Sequence, residues 1–282
     1  MKKLILASSA LVLFPLAGFT AGRSDVADAA SRGDKSALRR LVVEQKADVN
    51  APQTDGATAL HWAVFRSDKE MVDLLLGAGA NPKAPNREGS TPMWLASVNG
   101  DAPIIAALLK AGADANEKMP LGRTPLMAAA RTGHVDAVKL LLERGSFVNA
   151  QDSYQEETAL MWAAAEGHAE VIKVLLAAGA DANLKGHVSL LTERKNADHP
   201  SGGFTALMFA ARNGHSAAVQ ALMKGGADAK LTNADGLTAT MVAIVNDRFD
   251  LAKDMLDWGA DVVNELAGGG NDTVSFSGLS VA

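Results

Sequence analysis

Side chains able to ligate a metal or attack a substrate are scarce in this 282-residue chain, which holds six histidines, ten methionines and no cysteine. Without cysteine there is no disulfide framework, thiolate metal site or cysteine nucleophile. His134, His168 and His215 each follow a glycine, and Asp34, Asp68 and Asp101 fill the same position elsewhere, where a helix cap is expected. Recurrence of this kind marks a structural slot. Imidazoles on successive stacked helices would lie roughly 8–10 Å apart, too far to share a zinc with bonds near ~2 Å. His187 and His199, with Glu193 and Asp198, match no ligand spacing and read as a solvated loop. Met127, Met161, Met208 and Met241 also recur at one position. In an oxidising compartment they could bind copper(I) or absorb oxidant, but the spacing disfavours shared coordination and favours soft side chains repacking a small groove. No H-E-x-x-H pair, glycine-rich phosphate loop or serine–histidine–acid set occurs. The chain is therefore expected to catalyse nothing and to need no cofactor.

These residues sit in a repeating frame. Thr58-Ala-Leu-His-Trp-Ala returns as Thr91-Pro-Met-Trp-Leu-Ala, Thr124-Pro-Leu-Met-Ala-Ala, Thr158-Ala-Leu-Met-Trp-Ala, Thr205-Ala-Leu-Met-Phe-Ala and Thr238-Ala-Thr-Met-Val-Ala. The threonines are 33, 33, 34, 47 and 33 residues apart. Threonine caps a short inner helix, and Pro92 and Pro125 suit its first position. A loop residue follows, usually glycine, and then an apolar i, i+3, i+4 outer helix such as the one through Val138 and Leu141. A glycine closes each unit, as at Gly79, Gly112 and Gly145, because the C-terminus of a helix favours a left-handed residue there.

At these residues the sequence resembles the ankyrin family, whose period of about 33 residues and T-P-L-H-x-A signature it shares. The resemblance runs from about Gln53 to Asn264 and implies an all-α solenoid of helix–turn–helix units with hairpin fingers. The expected organisation is a signal peptide over 1–22, an N-terminal capping repeat over 23–52, six repeats over 53–264 and a glycine- and serine-rich tail over 265–282. The first unit has one extra residue, and Lys46 replaces its closing glycine. About 14 extra residues, around 187–202, enlarge the finger between the fifth and sixth units. Either the seventh unit is its own cap or the array belongs to a longer one.

The N-terminus joins Lys2 and Lys3 to an apolar run, Leu4 to Phe14, and small residues after Pro15. That is the plan of a secretory signal peptide, and the run falls short of the roughly 20 apolar residues a spanning helix needs. The Lys-Lys start and lack of cysteine suit a bacterial exported protein, periplasmic or secreted, with no stable membrane insertion after cleavage. Removing Lys2 and Lys3 takes the net charge from −5 to −7. An acidic chain is a poor general nucleic-acid binder, which needs concentrated lysine and arginine.

The family resemblance places partner contacts on a concave face built from finger tips and inner-helix ends. The positions are Phe65, Arg66, Arg87, Glu88, Leu121, Arg123, Arg131, Tyr154, Gln155, Glu166, Phe204 and Arg212, with Asp55, Asn99, Glu157 and Asn213 among their neighbours. Phe65, Tyr154 and Phe204 are expected to be exposed, whereas Trp62, Trp162 and Phe209, which share one position, are assigned to the core. Arginines outnumber acids among these positions, so an acidic protein segment is the expected partner. The function expected is protein binding; the alternative is stress protection through exposed methionines or through an oxidant-handling partner. The mature chain should begin near Arg23: intact-mass measurement of the exported protein checks this, and retention of Leu4 to Phe14 would instead indicate an anchor.

Overall fold

The computed structural model describes residues 24–189 and 201–260. The expected signal peptide and tail, and His199, Glu193 and Asp198 of the insertion, lie outside the described residues. Seven helix pairs follow one another: α1 (Asp25–Arg32) with α2 (Lys35–Arg39), α3 (Ala59–Phe65) with α4 (Lys69–Gly77), α5 (Pro92–Asn99) with α6 (Ala102–Lys110), and α7 (Pro125–Arg131) with α8 (Val135–Glu143). Next come α9 (Ala159–Ala165) with α10 (Ala169–Ala177), α11 (Ala206–Asn213) with α12 (Ser216–Lys224), and α13 (Ala239–Val245) with α14 (Phe249–Asp257). A two-residue ribbon, β1 (Val188–Ser189) against β2 (Ser201–Gly202), flanks the insertion.

The threonines cap the inner helices as expected. The hydroxyls of Thr91, Thr124, Thr158, Thr205 and Thr238 accept from the backbone N–H three residues on at 3.1–3.4 Å, and Pro92 and Pro125 open their helices. In α3 the bond is reciprocal: His61 Nδ1 accepts from the Thr58 N–H at 3.1 Å, and its Nε2 meets the Ser90 carbonyl of the next unit at 3.0 Å. Burial lowers the His61 pKa and keeps the ring neutral for this bridging job. Where methionine replaces it, Met127 sulfur takes the Thr124 N–H at 3.4 Å, but the tie to the next unit has no equivalent from a thioether.

Inner helix stacks on inner helix and outer on outer, α1 through α13 and α2 through α12. The seam is filled by one apolar cluster in which Leu60, Leu75, Ile104, Leu108, Leu126, Leu141, Leu160, Leu175 and Leu222 are all fully buried or within 1% of it. Loops between the pairs add a polar interlock. The amides of Asn50, Asn116, Asn149 and Asn183 donate to the closing-glycine carbonyls of the next unit (Gly79, Gly145, Gly179 and Gly226) at 2.9–3.3 Å. Their side-chain oxygens accept from the backbone N–H of Asn81, Phe147, Asp181 and Asp228 at 2.7–2.8 Å.

The extra residue of the first unit is absorbed as a π-turn, Arg40–Glu44, that continues α2. Lys46 then takes the left-handed conformation (φ 50°) that glycine adopts in the later units. The histidine slot proves structural, although these side chains do not cap as the aspartates do. Asp34, Asp68 and Asp101 accept from the first turns of α2, α4 and α6. His168 and His215 instead reach back, Nε2 meeting the carbonyls of Arg131 and Ala165 at 2.9 and 3.0 Å. The inter-helix glycine makes room: a Cβ on Gly133 or Gly167 would lie 2.7 Å from the ring of His168 or His215.

One expectation needs correction. Met127, Met161 and Met208 are within 2% of complete burial and Met241 is half-buried, so exposed methionines cannot act on the solvent; the small inner-helix residues around them leave a groove that a long, soft side chain fills. In the last unit, Leu251 and Met255 are buried against the stack, and the apolar surface left open is Val245, Phe249 and Trp258. A cleft of about 300 Å³ separates the start of α12 from α14, lined by Gly214, Ser216, Arg248, Phe249 and Leu251 among others.

Replacing fully buried Leu141 by aspartate should cost about 4 kcal/mol or more, because it strands a charge between stacked helices. Thr240, at a position that is leucine in most units, is 1% exposed with its hydroxyl unpaired. Thr240→Val should therefore stabilise the chain by about 1 kcal/mol. Urea titration followed by circular dichroism checks both, and a destabilised Thr240→Val variant would mean that the hydroxyl has a partner.

Candidate partner-binding face

The finger backbones are tied at four of five junctions; at the other, between the third and fourth units, Pro120 has no N–H to donate. Arg87 N–H donates to the Asp55 carbonyl at 2.9 Å, Ser153 to Leu121 at 2.8 Å, His187 to Gln155 at 2.7 Å and Ala234 to Gly202 at 3.0 Å. Leu121 is held at φ 66° to present its carbonyl in this row, with its side chain 47% exposed. Arg87, Glu88 and Tyr154 stand exposed on the tips, Tyr154 at 60%. Gln155 is half-buried.

Beside the fingers lies a set of aromatic side chains at one repeat position. Trp162 is buried in the apolar cluster, as expected, Trp62 and Phe209 are half-buried against it, and arginine side chains stack on Trp162 and Phe209. The guanidiniums of Arg123 and Arg131 sit 5.4 and 5.5 Å from the Trp162 ring centroid. Arg212 sits 5.3 Å from Phe204 and 5.0 Å from Phe209, whose rings are 5.5 Å apart. At the N-terminal end Trp62 packs edge-on against exposed Phe65 at 5.9 Å and donates its indole N–H to Gln53 at 2.7 Å. Along the repeats this position runs Trp62, Leu95, Ala128, Trp162, Phe209, Val242.

Stacking alters the expected exposures. Phe204 is half-buried under Arg212, and Arg123 is half-buried on Trp162, so neither stands free in solvent. Arg131 and Glu166 are exposed and pair at 3.5 Å. Arg66 reaches back over Gly33 to the Ser31 carbonyl at 3.3 Å, and Asn99 and Asn213 donate to the carbonyls of Val64 and Ala165 at 3.0 and 2.7 Å. These three join neighbouring units rather than wait for a partner. The expected contact residues thus divide into finger tips, an arginine–aromatic floor and inter-unit struts.

Phe204, Phe209 and Arg212, with Gln155, Glu157, His187 and three glycines, line a cleft of about 260 Å³. Burial, and then the charge of Asp152, pushes the Glu157 carboxyl above the usual carboxylate range, against the pull of Trp162, Arg212 and Arg123. The Trp162 indole N–H faces Glu157 without reaching hydrogen-bond geometry, and both it and the Arg123 Nε–H are buried without an acceptor. Among the described residues no group of three or more histidine, aspartate or glutamate side chains is arranged to hold a metal ion.

Comparison with known proteins agrees with this architecture. A family model of ankyrin repeats matches three times, over residues 26–119, 100–186 and 185–265. The ankyrin repeat domain of human ASB11 superposes with a TM-score of 0.66 and 26% identity, covering 82% of this chain and 98% of that one. The ankyrin repeat domain of Bcl-3, described as a unique member of the IkappaB protein family, gives 0.67 and 29%, covering 84% and 99%. A stretch of 53 residues is 42% identical to the palmitoyltransferase akr1 of Schizosaccharomyces pombe, spanning 19% of this chain and 8% of that protein. The chain belongs to the ankyrin-repeat family.

Proposed function

We propose that this protein is a non-enzymatic scaffold that binds another protein along the concave face, and that it works outside the cytoplasm after loss of its leader. The observation that supports binding is the pair of arginine–aromatic platforms on the same face as the expected contact positions. Aromatic and arginine side chains dominate interface energetics because they bury much area with few rotatable bonds and supply directional donors. Here the arginines already rest against the rings, so less freedom is lost on binding. No cofactor enters this reading. Nucleic acid is a poor occupant for a chain of net charge −5. No helix among the described residues is long and apolar enough to cross a membrane. Export rests on the basic start and apolar run of the first 22 residues alone.

A photo-crosslinking residue at Tyr154 or Phe65 should capture a partner protein in the compartment where the chain resides, while the same residue at Lys139, exposed on outer helix α8, should not. Capture at Lys139 alone would place recognition on the outer helices and end this reading. Variants should separate binding from folding. Tyr154→Ala should weaken the captured complex by about 1–2 kcal/mol and change stability by less than about 0.5 kcal/mol. Arg123→Ala should weaken it similarly and also lower stability by about 1 kcal/mol, because its stacking on Trp162 is lost.

A further inference from the structure

We propose that residues 273–282 lie as an extended segment across the open end of the stack and cover the face that the seventh unit turns away from the sixth. These residues lie outside the described ones. Three observations support the inference. First, the residues three and six places after each inner-helix cap face the following unit, as the meeting of His61 Nε2 with the Ser90 carbonyl shows. At the later of the two places Ala30, Val64, Ser97, Ala130, Ala164 and Ala211 are fully buried, whereas Ile244 of the last unit is only half-buried. Met241, at the earlier place, is also half-buried where Met127, Met161 and Met208 are not. Second, all six buried residues except Val64 are alanine or serine, because the next inner helix comes close. Ile244 is bulkier than any of them, so its cover is slimmer than a helix about 10 Å across. A strand, with its spacing of about 5 Å, fits. Third, Thr273-Val-Ser-Phe-Ser alternates polar and apolar residues, and Leu279-Ser-Val resumes the alternation after Gly278. An extended chain of this pattern has one apolar side. No residue from 273 to 282 is charged, so covering an apolar face desolvates no charge.

Other occupants fit less well. The three consecutive glycines at 268–270, and a Thr273 run without leucine in its third place, argue against an eighth helix pair. A second copy would have to outcompete a tethered segment. Phe276 lies 16 residues beyond Ala260, just past α14, and that length spans up to about 50 Å, whereas paired helices lie about 10 Å apart. Tethering gives the segment an effective concentration in the ~mM range, which free protein seldom reaches. The consequence is control of assembly. An uncovered repeat end can stack on another molecule head to tail, and such contacts do not close. The segment occupies that end and keeps the array from growing. None of this depends on what the concave face binds.

Because the chain has no cysteine, an introduced pair reports proximity without background. In the full chain, Ile244→Cys or Met241→Cys combined with Phe276→Cys should close an intramolecular disulfide on mild oxidation, seen as faster migration on a non-reducing gel. Phe65→Cys, five units away on the concave face, should not link to Phe276→Cys. Hydrogen exchange reads the same contact without a cross-link: Phe276→Asp should speed exchange of the α13 amides at least tenfold and leave those of α7 unchanged. Failure of both end-face cysteines to link to position 276 overturns the cover. So does a link that forms while Phe276→Asp leaves α13 exchange unchanged, since the contact is then incidental. A disulfide-linked dimer from Ile244→Cys alone would place a second copy on the end face instead.

Discussion

Everything in this molecule depends on units that cannot stand alone. A nine-residue outer helix such as α4 or α8 buries its apolar stripe only if the next pair lies against it. Apolar packing is non-directional, and it leaves the register between pairs loosely defined. Register is fixed by the two-way amide bonds of Asn50, Asn116, Asn149 and Asn183, which read both the carbonyl that ends one outer helix and the N–H that follows it. Asparagine suits this because one side chain carries a donor and an acceptor. Lys83 holds the corresponding position in the second unit and has no acceptor to offer, so that boundary relies on packing, on the His61 bridge to Ser90 and on the bonds of Arg87 and Asn99 to Asp55 and Val64.

A second constraint follows at the inner edge. With pairs held this close, the inter-helix loop must give way to the side chain arriving from the next unit. Glycine solves this in both senses, since Gly133 and Gly167 have φ near 80° and also lack the Cβ that would strike His168 and His215. The histidines then spend their Nε2 on carbonyls of the preceding inner helix. Their chemistry is consumed by the frame, as is that of the methionines packed in its groove.

The frame was legible in the sequence because it is written repeatedly. Threonine caps, closing glycines and the leucine stripe each recur, and recurrence under a fixed period leaves few folds to choose from. The extra residue before Lys46 was visible as a count, but its accommodation as a π-turn was not, since nothing local favours that over a lengthened loop. The site was legible only in part. Finger tips were found because they do not repeat. Trp162 is buried as its recurrence suggested and Phe209 is half-buried against the core, but the arginines that stack on them could not be read from the sequence. Arg123 could not be seen as half-buried, because that depends on a ring 39 residues further along the chain meeting it across a unit boundary. The reach of Arg66, Asn99 and Asn213 into neighbouring carbonyls was hidden for the same reason.

The position of the platforms along the stack has a physical rationale. Arg123 and Arg131 come from the fourth unit, Trp162 from the fifth, and Phe204, Phe209 and Arg212 from the sixth, so the two platforms together draw on three units. Such a site is only as well ordered as the boundaries it crosses. Those two boundaries carry consecutive interlocks, at Asn149 and Asn183, and the boundary before them carries a third at Asn116. The finger row adds the Ser153–Leu121 and His187–Gln155 backbone bonds across the same junctions. A recognition surface loses affinity for every degree of freedom that must be frozen when a partner arrives. On the proposed binding role, platforms placed across these tied boundaries, and away from the lapse at Lys83 and the cleft beside α14, would lose less of that freedom when a partner arrives.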